Sequence, residues 1–385
     1  MKINIPHEAQ KIIEILKANA HDSYVVGGCV RDTLLGRRPG DWDITTDAKP
    51  REIKKLFRYT IDTGIEHGTV TVLMKGKPYE VTTYRVDGDY SDHRRPDSVR
   101  FSDSLTEDLK RRDFTINAMA YNPDKGLVDE FDGLGDLERR LIRCVGLADE
   151  RFDEDALRIL RATRFSAQLG FEIEQKTREA IPGHASDLKA VSAERILVEL
   201  GKTISSDHPE KLRLIWDLGL APHICDSFTL IRDASGLIPG RKGSWASLMR
   251  DLSGEDAKKI LKELKADNDT VRKTVALVDE YKLPLPRTEA EIRRTLSHIG
   301  PELFDELMEM KEAPAEVSAL KQMIIDRGDA YTIAMLAVGG NDLMQAGIRQ
   351  GPGLGRTLGI LLERVIDNPE QNSKEALLAD IMDIK

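Results

Sequence analysis

An α+β architecture, a small mixed-sheet head followed by an all-helical remainder, is what this sequence predicts, and three observations predict it. Hydrophobic residues make up 40% and charged residues 32% of the 385 residues, the balance of a helical protein. Aromatics, at 5%, are too few for an all-β sandwich. Short apolar runs bounded by glycine fill the first third, and helical periodicity takes over from about residue 153 almost to the end.

The elements follow in order. Ala9, Ile12, Ile13, Ile15, Leu16 and Ala18 share a helical face, so residues 7–19 form an amphipathic helix. Tyr24-Val25-Val26 reads as a strand ending in the glycine turn Gly27-Gly28, and Val30 to Leu35 as a helix closed by Gly36. Asp41 to Ile44, Thr69 to Met74 and Tyr79 to Tyr84 read as strands. The polar, turn-rich stretch 87–100 has too little apolar content to pack and is expected to be a mobile loop. Arg112 to Tyr121 returns to buried character before a turn at Asn122 to Gly126. Helices then run on, broken at Pro182-Gly183, Pro239-Gly240 and Pro284 to Pro286. Such a length suits several modules: a head (1–148), a neck (149–205), a body (206–300) and a tail (301–385).

Composition also excludes function classes. Cys29, Cys144 and Cys225 lie far apart with no CxxC, which supports neither a disulfide framework nor a zinc site. No apolar run approaches the roughly 18 residues of a membrane span, and the N-terminus lacks a signal-peptide pattern. A soluble, cytoplasmic protein without membrane association is expected, and nothing calls for a stable protein partner. The net charge of −9 does not exclude nucleic acid, because basic residues can gather on one face.

Two constellations carry chemistry. Asp41 and Asp43, one residue apart on an expected strand, would point their carboxylates to one side. Glu80 on a following strand offers a third. Magnesium favours such hard oxygen ligands and leaves positions open for phosphate oxygens, which makes the pair a platform for a nucleoside triphosphate. An isolated DxD is usually a pair of solvated turn residues, but here the context differs. Gly27-Gly28-Cys29-Val30-Arg31-Asp32 ends a strand and opens a helix nine residues upstream of Asp41, where free amides and the Arg31 guanidinium suit a phosphate.

The second constellation is Arg111-Arg112-Asp113 together with the helix expected to begin at Glu154-Asp155. Asp155, Arg158, Arg161 and Arg164 recur every third residue along it. On an exposed helix they would be ordinary surface ion pairs. The alternative is recognition of a base. Cytosine and adenine both present an amino donor beside a ring-nitrogen acceptor, and a carboxylate next to a guanidinium complements that order. Uracil and guanine reverse it, leaving buried polar groups unpaired. Asp155 with Arg158 can therefore serve as a protein template for two of the four nucleotides.

These motifs, GGCVRD with DWD, RRDFTINAMAYN, EDALRILRATRF and SAERILVEL, resemble in order and spacing those of the class II tRNA nucleotidyltransferases of the polymerase-β-like superfamily. Residues 339–365 resemble the family's C-terminal region, so the likeness covers most of the chain. The resemblance implies a nucleotidyltransferase head and magnesium-dependent addition of CCA to the 3′ end of tRNA from CTP and ATP. It implies Asp41 and Asp43 as metal ligands, Gly28, Arg31, Arg112, Asp155, Arg158, Arg161 and Arg164 as ATP/CTP contacts, and Glu194 and Arg195 as braces of the nucleotide helix. From the residues themselves, Glu80 is a third catalytic carboxylate candidate, and Gly27, Asp113 and Glu154 join the expected nucleotide-binding set.

The stretch 87–100 looks like the loop of relatives that add the terminal A. Residues 223–245 match the family pattern poorly, and the only His-Asp dipeptide, His21-Asp22, gives no support for phosphohydrolase activity. His67, His93 and His184 show no metal-ligand spacing. Basic pairs such as Arg94-Arg95, Arg241-Lys242, Lys258-Lys259 and Arg293-Arg294 suit tRNA phosphates, as do the glycines 351, 353 and 355 opening a helix. Rival readings are an A-adding enzyme or poly(A) polymerase of the same family, a nucleotidyltransferase for a small molecule, and a non-catalytic RNA-binding protein. The long basic helical tail argues against the second and the intact Asp41, Asp43, Arg112 and Asp155 against the third.

Overall fold

The computed structural model describes residues 3–88 and 99–384 and divides into two compact units. The first comprises Met1–Ser244 with Glu263–Lys265, the second Trp245–Lys262 with Ala266–Lys385. The residues expected as head and neck therefore fall together in the first unit, with part of the expected body.

A seven-stranded mixed sheet anchors the first unit. Its strands are β1 (Ser23–Val26), β2 (Ile44–Thr46), β3 (Thr60–Gly64), β4 (Thr69–Met74), β5 (Lys77–Thr83), β8 (Met119–Asn122) and β9 (Gly126–Asp129), in the order β3-β4-β5-β2-β1-β8-β9. All pairings are antiparallel except β2 with β5, where Ile44 lies opposite Val81. Val25, Val26, Ile44, Val70 and Val81 fill the core, their β-branched side chains suited to a pleated surface. Helix α1 (His7–Ala18) packs Ala9, Ile12, Ile13 and Leu16 inward, as its periodicity predicts.

Two expectations are corrected here. The first concerns Asp41 to Ile44, where the strand begins only at Ile44, so Asp41 and Asp43 sit on its approach. One ladder bond still reaches back, from the Val26 amide to the Asp43 carbonyl at 3.0 Å. The second concerns 87–100, most of which lies outside the described residues, His93 and Arg94-Arg95 included, though its ends are paired strands. β6 (Arg85–Asp87) and β7 (Val99–Phe101) run antiparallel with Asp87 opposite Val99.

The helical part of the first unit carries α2 (Gly28–Leu34), α3 (Pro50–Leu56), α4 (Leu105–Lys110), α5 (Gly133–Arg139), α6 (Ala148–Glu154), α7 (Leu157–Leu169), α8 (Gln175–Ala180), α9 (Ala193–Ile204) and the short α10 (Leu214–Asp217). Helix α7 packs on α9 and is buried nearly all round, Arg158 and Arg164 included, with Arg161 half-buried. Helices α11 (Trp245–Met249) and α12 (Gly254–Glu263) open the second unit, whose framework is α13 (Asn268–Tyr281), α14 (Glu289–Met310), α15 (Ala315–Arg327), the short α16 (Gly340–Gln345) and α17 (Pro352–Asp367). The expected body–tail boundary falls inside α14. Gly300, at φ 78°, and Pro301 break the helix there without ending the unit. Buried Arg293 ties the bundle together, bonding Asp329 at 2.8 Å and the Ile366 carbonyl at 2.8 Å.

Candidate active site

The end of β1 sets the geometry. Gly27 takes φ 78° and ψ −129°, a conformation that a side chain resists, and turns the chain from β1 into α2. A Cβ there would lie 3.0 Å from Arg112 Nη1. Gly28 is roomier, its nearest neighbour being Arg31 Nη2 at 3.7 Å. No side chain caps α2, which leaves its first turn open to a ligand.

Facing this turn are the carboxylates. Because Ile44 pairs with Val81 in parallel register, Asp43 and Glu80 stand at neighbouring positions one residue earlier on each chain. Burial, Asp41 and Glu80 push the Asp43 carboxyl up to about 6, against the pull of Arg112. Repulsion of this kind is what a bound cation relieves, so hard oxygen donors and a concentrated negative field fit a divalent metal ion. Nearby Cys29 is no nucleophile, as burial and the Asp43 charge push its thiol up to about 12. Arg112 is positioned by Asp108, a fully buried carboxylate that holds Arg111 at 2.7 Å and Arg112 at 3.4 Å and accepts from the Thr45 hydroxyl. The Nε of Arg112 is buried without a hydrogen-bond partner.

A continuous polar network links α2 to α7. Arg31 donates to Asn117 Oδ1 at 2.6 Å, Asn117 donates to Asp113 Oδ1 at 3.1 Å, and Arg161 Nε donates to Asp113 Oδ2 at 2.7 Å. Burial alone would raise the Asp113 carboxyl. Arg161, Asn117 and Arg158 overcome it and hold Asp113 well below the ordinary carboxylate range. Glu199 of α9 closes the chain, accepting from Arg164 Nε at 2.5 Å with Arg161 at 4.0 Å. Phe165 sits among the guanidinium groups of Arg31, Arg161 and Arg164, which lie 5.0, 5.4 and 4.0 Å from its ring centre. The exposed-helix alternative for these arginines is thereby removed.

The expected adjacency of Asp155 and Arg158 on one helix is corrected. Asp155 occupies the break between α6 and α7, with φ −148° and ψ 101°. Its Oδ1 accepts from the Leu157 amide at 3.1 Å and its Oδ2 from Arg195 Nη2 at 2.7 Å. Arg158 instead pairs with Glu154 and donates to the carbonyls of Arg151 and Arg111. Arg195 also carries a buried Nη1 without a partner. Its neighbour Glu194 is exposed and pairs with Lys265 at 2.9 Å, while Glu199 of the same helix grips the arginines of α7. Sequence reasoning misses Glu199. The available signal is an acidic residue on the apolar face of α9, three positions after Ile196 and one before Leu200.

One further carboxylate–histidine group forms that sequence spacing does not reveal. Asp153, His184 and Asp187 bring ligand atoms within 4.8 Å of one another, and His184 Nε2 also meets Asp149 at 3.1 Å. It contains none of Asp41, Asp43 and Glu80.

A mixed-sheet head with an open glycine turn opposite paired carboxylates, followed by helices rich in buried arginine, defines a nucleotidyltransferase. Comparison with known proteins agrees. The model of the poly A polymerase head domain matches residues 23–143, that of an "RNA and SrmB- binding site of polymerase A" residues 170–229, and that of tRNA nucleotidyltransferase domain 2 residues 240–381. The CCA-adding enzyme of Streptococcus thermophilus (strain CNRZ 1066) is 36% identical over the whole of both chains. That of Geobacillus kaustophilus (strain HTA426) is 40% identical over 98% of this chain and 96% of its own. The crystal structure of the Bacillus stearothermophilus CCA-adding enzyme in complex with CTP superimposes with a TM-score of 0.82 at 34% identity, covering 98% of this chain and 96% of that one. The chain belongs to the CCA-adding enzyme family of tRNA nucleotidyltransferases.

Among the described residues no helix is long and apolar enough to cross a membrane.

Proposed function

We propose that this enzyme works in the cytoplasm, adding CCA to the 3′ end of tRNA from CTP and ATP, with magnesium held by Asp41 and Asp43 and the base chosen by protein side chains. The single observation carrying this reading is the joined site. Arg112, drawn to the acidic cluster at Asp43, and Asn117 both flank Gly27, and Asn117 joins Arg31 to Asp113 and so to Arg161 on the arginine-rich face of α7. A relative 34% identical was crystallised with CTP, which supports the nucleotide class.

In the proposed mechanism the amides of the Gly27–Gly28 turn, Arg31 and Arg112 orient the triphosphate. Arg112 Nε, buried and unpartnered, gains an acceptor when nucleotide binds. Bound magnesium would lower the pKa of the primer hydroxyl and neutralise the leaving pyrophosphate. Glu80 adds negative charge beside Asp43 and helps keep the cation in place. Asp155, held by Arg195, and Arg158, held by Glu154, exchange part of these contacts for the Watson–Crick edge of C or A. Arg161 and Arg164, clamped by Asp113 and Glu199, hold the wall against which the nucleotide rests.

The test feeds purified protein tRNA ending before the CCA, after one C and after two C residues, with CTP and ATP. Completion of each to CCA and no further is expected. Failure to add C would convert the reading to an A-adding enzyme, and a product extended beyond CCA to a poly(A) polymerase. Asp41→Ala is expected to abolish incorporation with little loss of tRNA affinity, and unchanged turnover would remove the metal assignment.

A further inference from the structure

A charged cavity runs from the middle of α2 to beyond its C-terminal end. It encloses about 310 Å³ and is lined by Arg31, Asp32, Arg37, Arg38, Asp207 and Lys242, together with the C-terminal ends of α7 and α9. Arg31 and Asp32 pair with each other at 2.8 Å, which leaves Arg37, Arg38 and Lys242 against Asp207 alone. Arg37 spends one N–H on the Gln168 carbonyl at 2.8 Å, a neutral partner. In a chain of net charge −9, an excess of two positive charges around one cavity runs against the average and marks a place for an anion.

Position and lining narrow the anion. Arg38 precedes Asp41 by three residues, so their Cα atoms are at most about 11 Å apart. Arg31, in the middle of the seven-residue α2, lines the cavity while its Nη2 stands 3.7 Å from a Cβ position on Gly28, so the cavity adjoins the glycine turn, whereas Arg37 and Arg38 lie beyond the C-terminal end of the helix. An RNA strand presenting its 3′ hydroxyl at Asp41 and Asp43 and running along α2 would carry backbone phosphates past this cavity. Leu169 is the one apolar lining residue and no aromatic ring lines the cavity, so it offers charge without a surface for stacking a base. Charge without stacking reads the backbone and ignores sequence, which suits a substrate that varies upstream of its 3′ end.

We infer that Arg37, Arg38 and Lys242 form a subsite for a phosphodiester of the RNA strand being extended, separate from the nucleotide triphosphate. The inference rests on the reading of the protein as an enzyme that extends RNA. The test uses the full-length chain and the variants Arg38→Gln, Lys242→Gln and both together. Affinity for tRNA lacking CCA is measured across a range of salt, and CTP affinity is measured in parallel. Both side chains are exposed, and unchanged thermal midpoints confirm intact folding.

The double variant is expected to bind tRNA roughly tenfold more weakly at low salt, with the log–log salt slope reduced by about 0.7 for each single-strand phosphate no longer neutralised. CTP affinity should stay unchanged. Arg51→Gln with Lys55→Gln, exposed cations on α3, should leave the slope as it was. The proposal is overturned if the double variant binds tRNA like the parent, if the α3 pair weakens binding equally, or if CTP affinity falls instead, which would place the triphosphate in the cavity. A parent protein unable to extend tRNA would defeat the functional reading itself, a distinct result.

Discussion

Glu199 shows how much of the site depends on single buried charges. It is 5% exposed and neutralises Arg164 while standing beside Arg161. Removing one partner of such a pair leaves the other charge uncompensated, so Glu199→Ala should cost about 3–5 kcal/mol in urea unfolding. A loss below about 1 kcal/mol, the range of exposed pairs, would show that the pair is solvated in solution. Asp113 makes a pH prediction. Burial opposes its charge, but Arg161, Asn117 and Arg158 hold its folded pKa below the unfolded value of about 3.9. A depressed carboxylate contributes stability that is complete above the unfolded pKa and is lost as pH falls through the folded one. Parent and Asp113→Asn should therefore differ most at neutral pH and converge on acidification below about pH 4. A stability gap that widens in acid would reverse the sign and contradict the assignment.

At the scale of elements, the turn from β1 into α2 and the break between α6 and α7 place the reacting groups. Gly27 carries φ 78°, and a methyl group placed on it would meet Arg112 Nη1 at 3.0 Å, whereas Gly28 has room. Gly27→Ala should raise the KM for CTP and ATP well above the effect of Gly28→Ala in steady-state extension assays, because it strains the turn and displaces Arg112 together. Equal effects would mean that backbone approach, and not Arg112, governs binding. The glycine turn, the helix after it and the strands β1, β4 and β5 are legible in the sequence because glycine, period-two alternation and caps act locally, whereas β3, β8 and β9 do not stand out. The start of β2 is not legible either, since alternation cannot say where hydrogen bonding begins, and the ladder reaches back before Ile44 through the bond from the Val26 amide to the Asp43 carbonyl. Pattern alone places Asp155 inside a helix because EDALRILRATRF has no glycine or proline, yet its carboxylate captures the Leu157 amide two residues on and holds the chain in a turn at the break.

For the whole molecule, the order of motifs along the chain reveals the head, the helical remainder and the family. What it conceals is pairing at long range. Glu199 acts on the arginines of α7 through the folded packing of separate segments, as does Asn117 in its bond to Arg31, and composition gives no register for such contacts. The same holds for His184, whose carboxylate partners Asp149 and Asp153 come from a different element. Net charge of −9 carries its own consequence, because tRNA must be held by local basic patches against a repulsive average. Raising salt from about 50 to 200 mM should weaken tRNA binding by orders of magnitude while CTP affinity changes far less, as expected when many phosphates are neutralised. A flat salt response would mean that shape and hydrogen bonding dominate instead.

The most direct test is nucleotide choice. Parent and Asp155→Ala are supplied with tRNA lacking CCA and with CTP and UTP in competition, and the ratio of incorporation is measured. Loss of about 1–3 kcal/mol of discrimination in the variant, with UTP entering where C belongs, is the expected outcome for a base read by side chains. Undiminished rejection of UTP by Asp155→Ala would contradict the account.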